Sequence, residues 1–221
     1  MSPTHLERLR EARLLLVTDP RPDLAERVRA AVRGGVDVVQ LREKDRSARE
    51  LLPLALELAE ACGDAALFTV NDDLELARLC AAEGACDGVH LGQEDASTAE
   101  ARRVLGAEAV VGRSAGSVEE ARGALQNGAD YLGVGAVYAT PTKPGGDVGG
   151  LELIRVLADE RPPVPWFAIG GVTLETAREV AGAGAPGFAV VRAVLDAADP
   201  AQAACELRSY LPSGPQTPTA A

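Results

Sequence analysis

The sequence has few aromatic residues, few histidines and no long apolar run. Its 221 residues include three Phe, three Tyr and one Trp, which argues against the stacking surface that binds single-stranded nucleic acid. The 33 acidic residues outnumber the 22 basic ones, and the net charge of −11 disfavours nucleic acid or an anionic membrane as the main partner. No apolar stretch reaches the ~18 residues of a membrane span. An acidic chain of this kind can still hold a local cationic pocket for phosphates.

Cysteine and histidine are also sparse. The four cysteines show no CxxC spacing, which favours reduced, packed thiols over a metal or redox site. The first thirteen residues mix charges and have no apolar signal core, so we expect a cytoplasmic protein. Of the two histidines, His5 lies in the leading segment and His90 is expected to have a structural role. Ser114 is therefore not expected to be a triad nucleophile.

Short apolar runs alternate with helical segments along the chain. The eight runs cover residues 14–18, 36–41, 67–70, 88–92, 109–114, 131–137, 166–170 and 187–191. Buried strands separated by helices favour parallel pairing. Eight such units in roughly 200 residues predict a (β/α)8 TIM barrel in the α/β class. An open doubly wound sheet is the alternative, but it needs fewer strands or a chain reversal.

A weak internal repeat supports the barrel. Gly-rich breaks, marked by Gly35, Gly84, Gly128 and Gly184, precede the even-numbered strands, and glycine is a natural helix C-cap before a strand. No internal linker is evident, so residues 1–211 are expected to form a single domain with a short helix at its start. The Pro- and Thr-rich segment 212–221 is expected to be a disordered tail.

Active sites of such barrels lie where strands end and βα loops begin. The second strand is followed by Gln40, Arg42, Glu43 and Lys44. Two cations and an amide at one mouth suit a phosphate or pyrophosphate. The alternative is a solvated charge cluster.

Acidic residues follow the third and fourth strands. Asn71 and Asp72 follow one strand, and Asp95 follows the next. Carboxylates on neighbouring strands, close to phosphate-binding cations, favour an Mg²⁺ site completed by phosphate oxygens. The alternative is helix N-capping by Asp72 or Asp73, and by Asp95 or Ser97.

The remaining strand ends offer hydroxyls, a further cation and glycine amides. Ser114 ends the fifth strand, where it could contact a ligand or cap a helix. The long segment 138–150 has the properties of a binding loop or lid, although a flexible linker would also explain its glycines. Near its start lie Thr140, Pro141, Thr142 and Lys143. Gly171, Val191 and Arg192 follow the last two strands, where barrels of this class bind phosphate.

Seven segments match one known family in order and position: VDVVQLREKD, VNDDLELA, DGVHLGQED, GRSAGS, VYATPTK, FAIGGV and VVRAV. Together they closely resemble the thiamine-phosphate synthase family from about Leu14 to Leu195. The combination of QLREK, HLGQED and TPTK is the most specific part of this resemblance.

The resemblance implies a transferase of thiamine biosynthesis. Family members join 4-amino-2-methyl-5-hydroxymethylpyrimidine diphosphate to 4-methyl-5-(2-hydroxyethyl)thiazole phosphate, and they release thiamine phosphate and pyrophosphate. Mg²⁺ is the implied cofactor, and small phosphorylated molecules are the implied partners. Whether the chain forms a homo-oligomer stays open.

The resemblance also implies roles for individual residues. Asp72 and Asp95 would hold Mg²⁺. The pyrimidine diphosphate would be bound by Gln40, Arg42, Glu43, Lys44, Asn71, Ser114 and Lys143, of which Arg42, Lys44, Ser114 and Lys143 would act in catalysis. The thiazole phosphate would be bound by Thr140, Pro141, Thr142, Gly171, Val191 and Arg192.

Two other hypotheses stay open. A thiazole tautomerase of the same superfamily would not need the diphosphate and Mg²⁺ cluster. A non-catalytic sensor of a phosphorylated ligand could use the same barrel, because fold alone does not determine chemistry.

Overall fold

The computed structural model describes residues 4–139 and 148–216. Within these residues eight parallel strands close into a barrel in chain order, and the first strand pairs with the last. The strands are β1 (Leu14–Val17), β2 (Val38–Leu41), β3 (Leu67–Asn71), β4 (Gly88–Leu91), β5 (Val110–Ala115), β6 (Tyr131–Val134), β7 (Trp166–Ile169) and β8 (Phe188–Val190). This closed barrel confirms the predicted (β/α)8 fold and excludes the open sheet.

Helices alternate with the strands and form the outer layer. In the described part of the chain they are α1 (His5–Glu11), α2 (Leu24–Arg33), α3 (Ala48–Cys62), α4 (Leu74–Ala82), α5 (Thr98–Leu105), α6 (Val118–Gln126), α7 (Gly150–Glu160), α8 (Ala177–Gly182), α9 (Arg192–Leu195) and α10 (Pro200–Ser209). Apolar residues at helical spacing explain why they form: in α2, Leu24, Val28 and Ala31 are all buried and form the stripe that faces the barrel.

Strand residues alternate between two apolar cores. One side of each strand packs against the helices, as Leu16, Val39 and Val111 do. The other side fills the barrel, where Tyr131 and Phe167 meet edge to face with ring centroids 5.8 Å apart. Because side chains alternate along a strand, the polar residues that share the inward side lie above this inner core, at the mouth.

The apolar run predicted over 131–137 is longer than β6. After β6 the chain follows the end of β7 by single hydrogen bonds: Val137 N donates to Ile169 O and Tyr138 N to Gly170 O, each at 2.9 Å. The extra apolar residues therefore fasten the loops after β6 and β7 to each other at the mouth.

The internal repeat has a physical basis at the opposite end of the barrel. Asp37, Asp87 and Asp130 each stand just before an even-numbered strand. The Asp87 carboxylate accepts a hydrogen bond from Phe68 N, and Asp130 from Val111 N, each at 2.7 Å. Asp37 likewise accepts from Leu14 N at 2.9 Å. Each aspartate thus satisfies an amide at the start of the preceding strand, which would otherwise lack a partner.

The fourth repeat has a glycine in place of the aspartate before its strand. Gly187 stands before β8, and the side chain of Gln216 lies beside it, so that a Cβ at Gly187 would approach Gln216 Nε2 to 2.8 Å. Gln216 Oε1 accepts from Trp166 N at 2.8 Å, and Nε2 donates to Ala12 O at 2.6 Å. Gln216, which lies in the segment expected to be disordered, therefore contacts the base of the barrel. Residues 217–221 lie outside the described part.

Two of the cysteines are packed in the interior of the protein. Cys62 and Cys80 are buried and unbridged, whereas Cys205 is exposed. Burial raises the pKa of the Cys62 thiol to about 12 and that of Cys80 to about 11, so both stay protonated and unreactive near neutral pH. No helix among the described residues is long and apolar enough to span a membrane.

Candidate active site

A buried amide and a buried phenol lie below the mouth of the barrel. Gln40, at the end of β2, is 3% exposed, and its Nε2 donates to Tyr131 Oη at 3.4 Å. Complete burial raises the pKa of Tyr131 above its ordinary value. The phenol therefore stays neutral, and it fixes the orientation of the Gln40 amide.

His90 lies next to Ser114 across two neighbouring strands. Its Nε2 is 3.0 Å from Ser114 Oγ, and its ring centroid is 5.3 Å from that of Tyr131. Gly112 and Gly133 make room for the imidazole, because a Cβ at Gly112 would lie 2.6 Å from His90 Nδ1 and one at Gly133 would lie 3.2 Å from Cε1. The histidine is both packed and in contact with a predicted ligand-binding hydroxyl.

From the sequence, His90 is expected to have a structural role, and its contact with Ser114 is a finding of the structure. A usable signal was present. Strand register sets His90 opposite Gly112, two residues before Ser114, so His90 and Ser114 share the inward side of adjacent strands. Small residues facing a ring on that side indicate where the ring points.

Asp72 and Asp95 meet at the mouth, as the strand order predicts. Partial burial, followed by the hydrogen bond and charge of Asp95, raises the pKa of the Asp72 carboxyl, while Lys44 and a hydrogen bond from Asn71 act in the opposite direction. Lys44 Nζ lies 3.5 Å from Asp72 Oδ2. Two carboxylates and a cation therefore occupy one small cluster.

Of the predicted helix caps, Asp73 and Ser97 take that role, whereas Asp72 and Asp95 do not. Asp73 accepts from Leu76 N and caps α4, Ser97 caps α5, and Ser117 caps α6. Asp72, Asp95 and Ser114 thus do not cap these helices. Asp95 Oδ2 instead accepts from Gly92 N in its own loop at 2.6 Å.

A pair of carboxylate side chains offers the oxygen donors that a hard cation prefers. No group of three or more His, Cys, Asp or Glu residues that could hold a metal occurs in residues 4–139 and 148–216. Mg²⁺ in proteins is commonly held by one or two carboxylates, with water and substrate phosphates completing its coordination. Asp72 and Asp95 have that donor chemistry.

The loop after β2 is ordered by its own contacts. Arg42 N donates to Thr18 Oγ1 at 3.0 Å, which ties the ends of β1 and β2 together. The Glu43 carboxylate accepts from Lys44 N at 2.9 Å and Asp45 N at 3.2 Å. Glu43, predicted to contact substrate, is thus engaged with its own loop, and it shapes the turn that presents Lys44.

Two glycines follow β7, and a short helix follows β8. Gly170 and Gly171 have φ values of +96° and +69°, a region that glycine enters without strain. A Cβ at Gly171 would also lie 2.7 Å from Tyr138 Cβ. Val191 precedes the short helix α9, which begins at Arg192. Because β7 pairs with β8, the three predicted phosphate-binding positions follow neighbouring strands. Thr140, Pro141, Thr142 and Lys143 lie outside the described residues.

The closed barrel and the polar cluster at the carboxyl ends of its strands define a (β/α)8-barrel protein with its candidate site at the usual mouth. The family model for thiamine monophosphate synthase matches residues 14–194. The chain belongs to this family.

Individual relatives agree with that membership. A thiamine-phosphate synthase from Thermus thermophilus is 46% identical over 207 residues, which cover 90% of this chain and 97% of the relative. One from Synechocystis is 45% identical, and the match covers 93% of this chain but only 59% of the relative. The chain thus spans less than two thirds of the length of this and several other cyanobacterial relatives. The solved thiamine phosphate pyrophosphorylase from Pyrococcus furiosus is 35% identical, with a TM-score of 0.79, and the match covers 92% of this chain and 96% of that one.

Proposed function

We propose that this chain is a thiamine-phosphate synthase, a transferase of thiamine biosynthesis. It would couple the aminopyrimidine diphosphate to the thiazole phosphate and release thiamine phosphate and pyrophosphate. The observation that carries the proposal is the cluster of Lys44, Asp72 and Asp95 at the mouth of a barrel of this family. Such a cluster offers ligands to a divalent cation and a counter-charge to a diphosphate.

The chemistry explains why no activated nucleophile is needed. The bond between the pyrimidine methylene carbon and the diphosphate oxygen breaks, and the leaving pyrophosphate takes the electron pair. The aminopyrimidine stabilises the resulting cation, and the thiazole nitrogen then donates its lone pair to form the new carbon–nitrogen bond. The protein therefore has to stabilise the leaving charge and exclude water.

Charged residues of the mouth would stabilise the leaving group. Arg42 and Lys44 follow β2 and would contact the diphosphate, together with Lys143. Asp72 and Asp95 would hold Mg²⁺, which when bound supplies positive charge to the phosphate oxygens. The Lys44–Asp72 distance of 3.5 Å supports a shared position for diphosphate and cation.

Neutral groups would orient the two substrates. Gln40, Asn71 and Ser114 would bind the pyrimidine diphosphate, and His90 would keep the Ser114 hydroxyl in place. Gly171 and the backbone amides of Val191 and Arg192 would bind the thiazole phosphate, with Thr140, Pro141 and Thr142 beside it. The fixed amide of Gln40 and the glycine backbone after β7 support this division.

Small phosphorylated molecules would be the partners, without nucleic acid or membrane. The net charge of −11 supports that choice, and a cytoplasmic location belongs to the same proposal. A thiazole tautomerase is the second candidate. It is disfavoured because isomerisation of a single thiazole substrate gives no use to a carboxylate pair beside Lys44.

The test is identification of the product by mass spectrometry. Purified protein is incubated with both substrates and Mg²⁺, and with each substrate alone. Thiamine phosphate formed only when both substrates are present supports the proposal. Isomerisation of a thiazole carboxylate phosphate, without thiamine phosphate, would support the tautomerase instead.

A further inference from the structure

Arg113 lies on the helix-facing side of β5, close to the loop that bears one of the proposed metal ligands. Arg113 pairs in register with Leu91 of β4 and Leu132 of β6, and it shares its side of the strand with Val111 and Ala115. Both of those neighbours are buried in the apolar layer under the helices. Placing a guanidinium at the edge of such a layer costs solvation free energy unless it is hydrogen-bonded.

The Arg113 side chain is attached to the loop that carries Asp95. Its Nη1 donates to Ala96 O at 2.8 Å, and Ala96 directly follows Asp95. In the opposite direction, Gln93 Nε2 donates from the loop to Ser114 O at 2.6 Å. Two reciprocal hydrogen bonds therefore fasten this loop to the end of β5, one on each side of Asp95.

Asp95 needs such a restraint, because its carboxylate lies beside that of Asp72. Two neighbouring carboxylates repel each other when both are ionised, and an unrestrained loop would relax so as to separate them. Within the loop, Asp95 Oδ2 also accepts from Gly92 N at 2.6 Å. The three contacts together fix the carboxylate from its own loop and from β5.

We infer that Arg113 and Gln93 are positioning residues that hold Asp95 beside Asp72 and so preorganise the divalent-cation site. The inference rests on the magnesium part of the proposed function. Neither side chain is assigned contact with the cation or with substrate. Outer partners of metal ligands commonly change metal affinity 10- to 100-fold when they are removed.

The test is direct binding of Mn²⁺, measured by electron paramagnetic resonance in the absence of both substrates. Arg113→Met keeps an apolar stem and removes the donor, whereas Arg113→Lys keeps a charged donor. We expect the Kd for Mn²⁺ to rise about 10-fold or more in Arg113→Met. Arg113→Lys is expected to recover most of the affinity, and Gln93→Met to weaken binding in the same direction as Arg113→Met.

Arg102→Met is the matched control. Arg102 lies on α5 and makes a comparable attachment at the other end of β5, where Nη1 donates to Ala109 O at 3.0 Å and Nη2 contacts Asp130. Its loss is expected to lower the Tm and to leave the Mn²⁺ Kd unchanged. Equal weakening of Mn²⁺ binding by Arg102→Met and Arg113→Met would overturn the inference, because it would show a general effect of destabilisation.

The outcomes separate this inference from the proposed function. If the wild type forms thiamine phosphate while Arg113→Met binds Mn²⁺ as the wild type does, the positioning role is wrong and the function stands. A second outcome is that the wild type binds Mn²⁺ but forms no thiamine phosphate, and that Arg113→Met binds Mn²⁺ more weakly than the wild type. In that case the positioning role stands and the function is wrong. A wild type that binds no Mn²⁺ overturns the positioning role.

Discussion

Lys44 and Asp72 form an ion pair at the mouth, with Nζ 3.5 Å from Oδ2, and they follow the neighbouring strands β2 and β3. Burial raises the pKa of the Asp72 carboxyl, the neighbouring Asp95 raises it further, and Lys44 lowers it. The cluster thus holds both signs of charge within a few side chains. That combination suits a metal–diphosphate complex, since the carboxylates would bind the cation and the ammonium group would bind the phosphate oxygens.

Asp72→Asn is predicted to abolish most of the Mg²⁺-dependent turnover. Asp72 has a φ of +63°, a region that Asn tolerates far better than Ala, so the substitution removes charge without adding backbone strain. A metal ion can contribute several kcal/mol to transition-state stabilisation, so turnover at limiting Mg²⁺ should fall by about 100-fold or more. Steady-state rates across an Mg²⁺ titration measure this.

Asp73→Asn is the matched control, one residue further along the chain. Asp73 caps α4, and Asn is an equally good N-cap. The Tm of Asp73→Asn and the Mg²⁺ dependence of its turnover should therefore equal those of the wild type. Comparable losses in Asp72→Asn and Asp73→Asn would assign the effect to the start of α4 instead of to the metal.

Asp95→Asn is predicted to stabilise the metal-free protein in a pH-dependent way. Because the pKa of Asp72 is raised in the folded state, its contribution to stability is present at low pH and is lost as the pH rises through that pKa. Burial, the largest cause of the raised pKa, remains in the variant, but removing the Asp95 charge relieves part of this loss. The Tm of Asp95→Asn should exceed that of the wild type at pH 7 in EDTA, and the difference should vanish near pH 3. If the difference in Tm between Asp95→Asn and the wild type has the same size at both pH values, the effect is not electrostatic.

Thr18→Val is predicted to impair turnover through Arg42. Thr18 is 1% exposed, and its hydroxyl accepts from Arg42 N at 3.0 Å. Valine has nearly the same shape and no acceptor, so stability should fall by about 1 kcal/mol. The kcat/KM for the pyrimidine diphosphate should fall by about 10-fold, since the segment that carries Arg42 loses its anchor. Thr18→Ser keeps the hydroxyl and should restore both; failure of Ser to do so would point to packing by the methyl group.

Gln216→Ala is predicted to affect stability alone. It removes the hydrogen bonds of the side chain with Trp166 N and Ala12 O, which corresponds to about 1–2 kcal/mol and a Tm decrease of roughly 2–8 °C. The base of the barrel is remote from the mouth, so kcat should not change. Gln202→Ala, on the exposed side of α10, provides the comparison and should leave the Tm within about 1 °C.

Much of the fold follows from local patterns. The alternation of apolar runs with helical segments predicted every strand to within three residues at either end. The order of the strands then predicted the meeting of Asp72 and Asp95, because consecutive parallel strands end side by side. These features depend on periodicity and topology, both of which can be read along a sequence.

Other features depend on single contacts between distant residues. The composition of residues 212–221 predicts disorder. Gln216 nevertheless lies beside Gly187 and accepts a hydrogen bond from Trp166 N, the first residue of β7. The bond from Arg113 to Ala96 O has no sequence period either, since any long donor near the loop could make it. The orientation of His90 could have been predicted in part, because its register with Gly112 places it on the inward side of the strand.

The most direct measurement is pyrophosphate release by the purified protein with both substrates and Mg²⁺, compared with each substrate alone and with EDTA added. We predict release that requires both substrates, matches thiamine phosphate formation in amount and disappears with EDTA. Folded protein that releases no pyrophosphate under any of these conditions, or that releases it equally well without the thiazole phosphate, would contradict the assignment of this site as a thiamine-phosphate synthase.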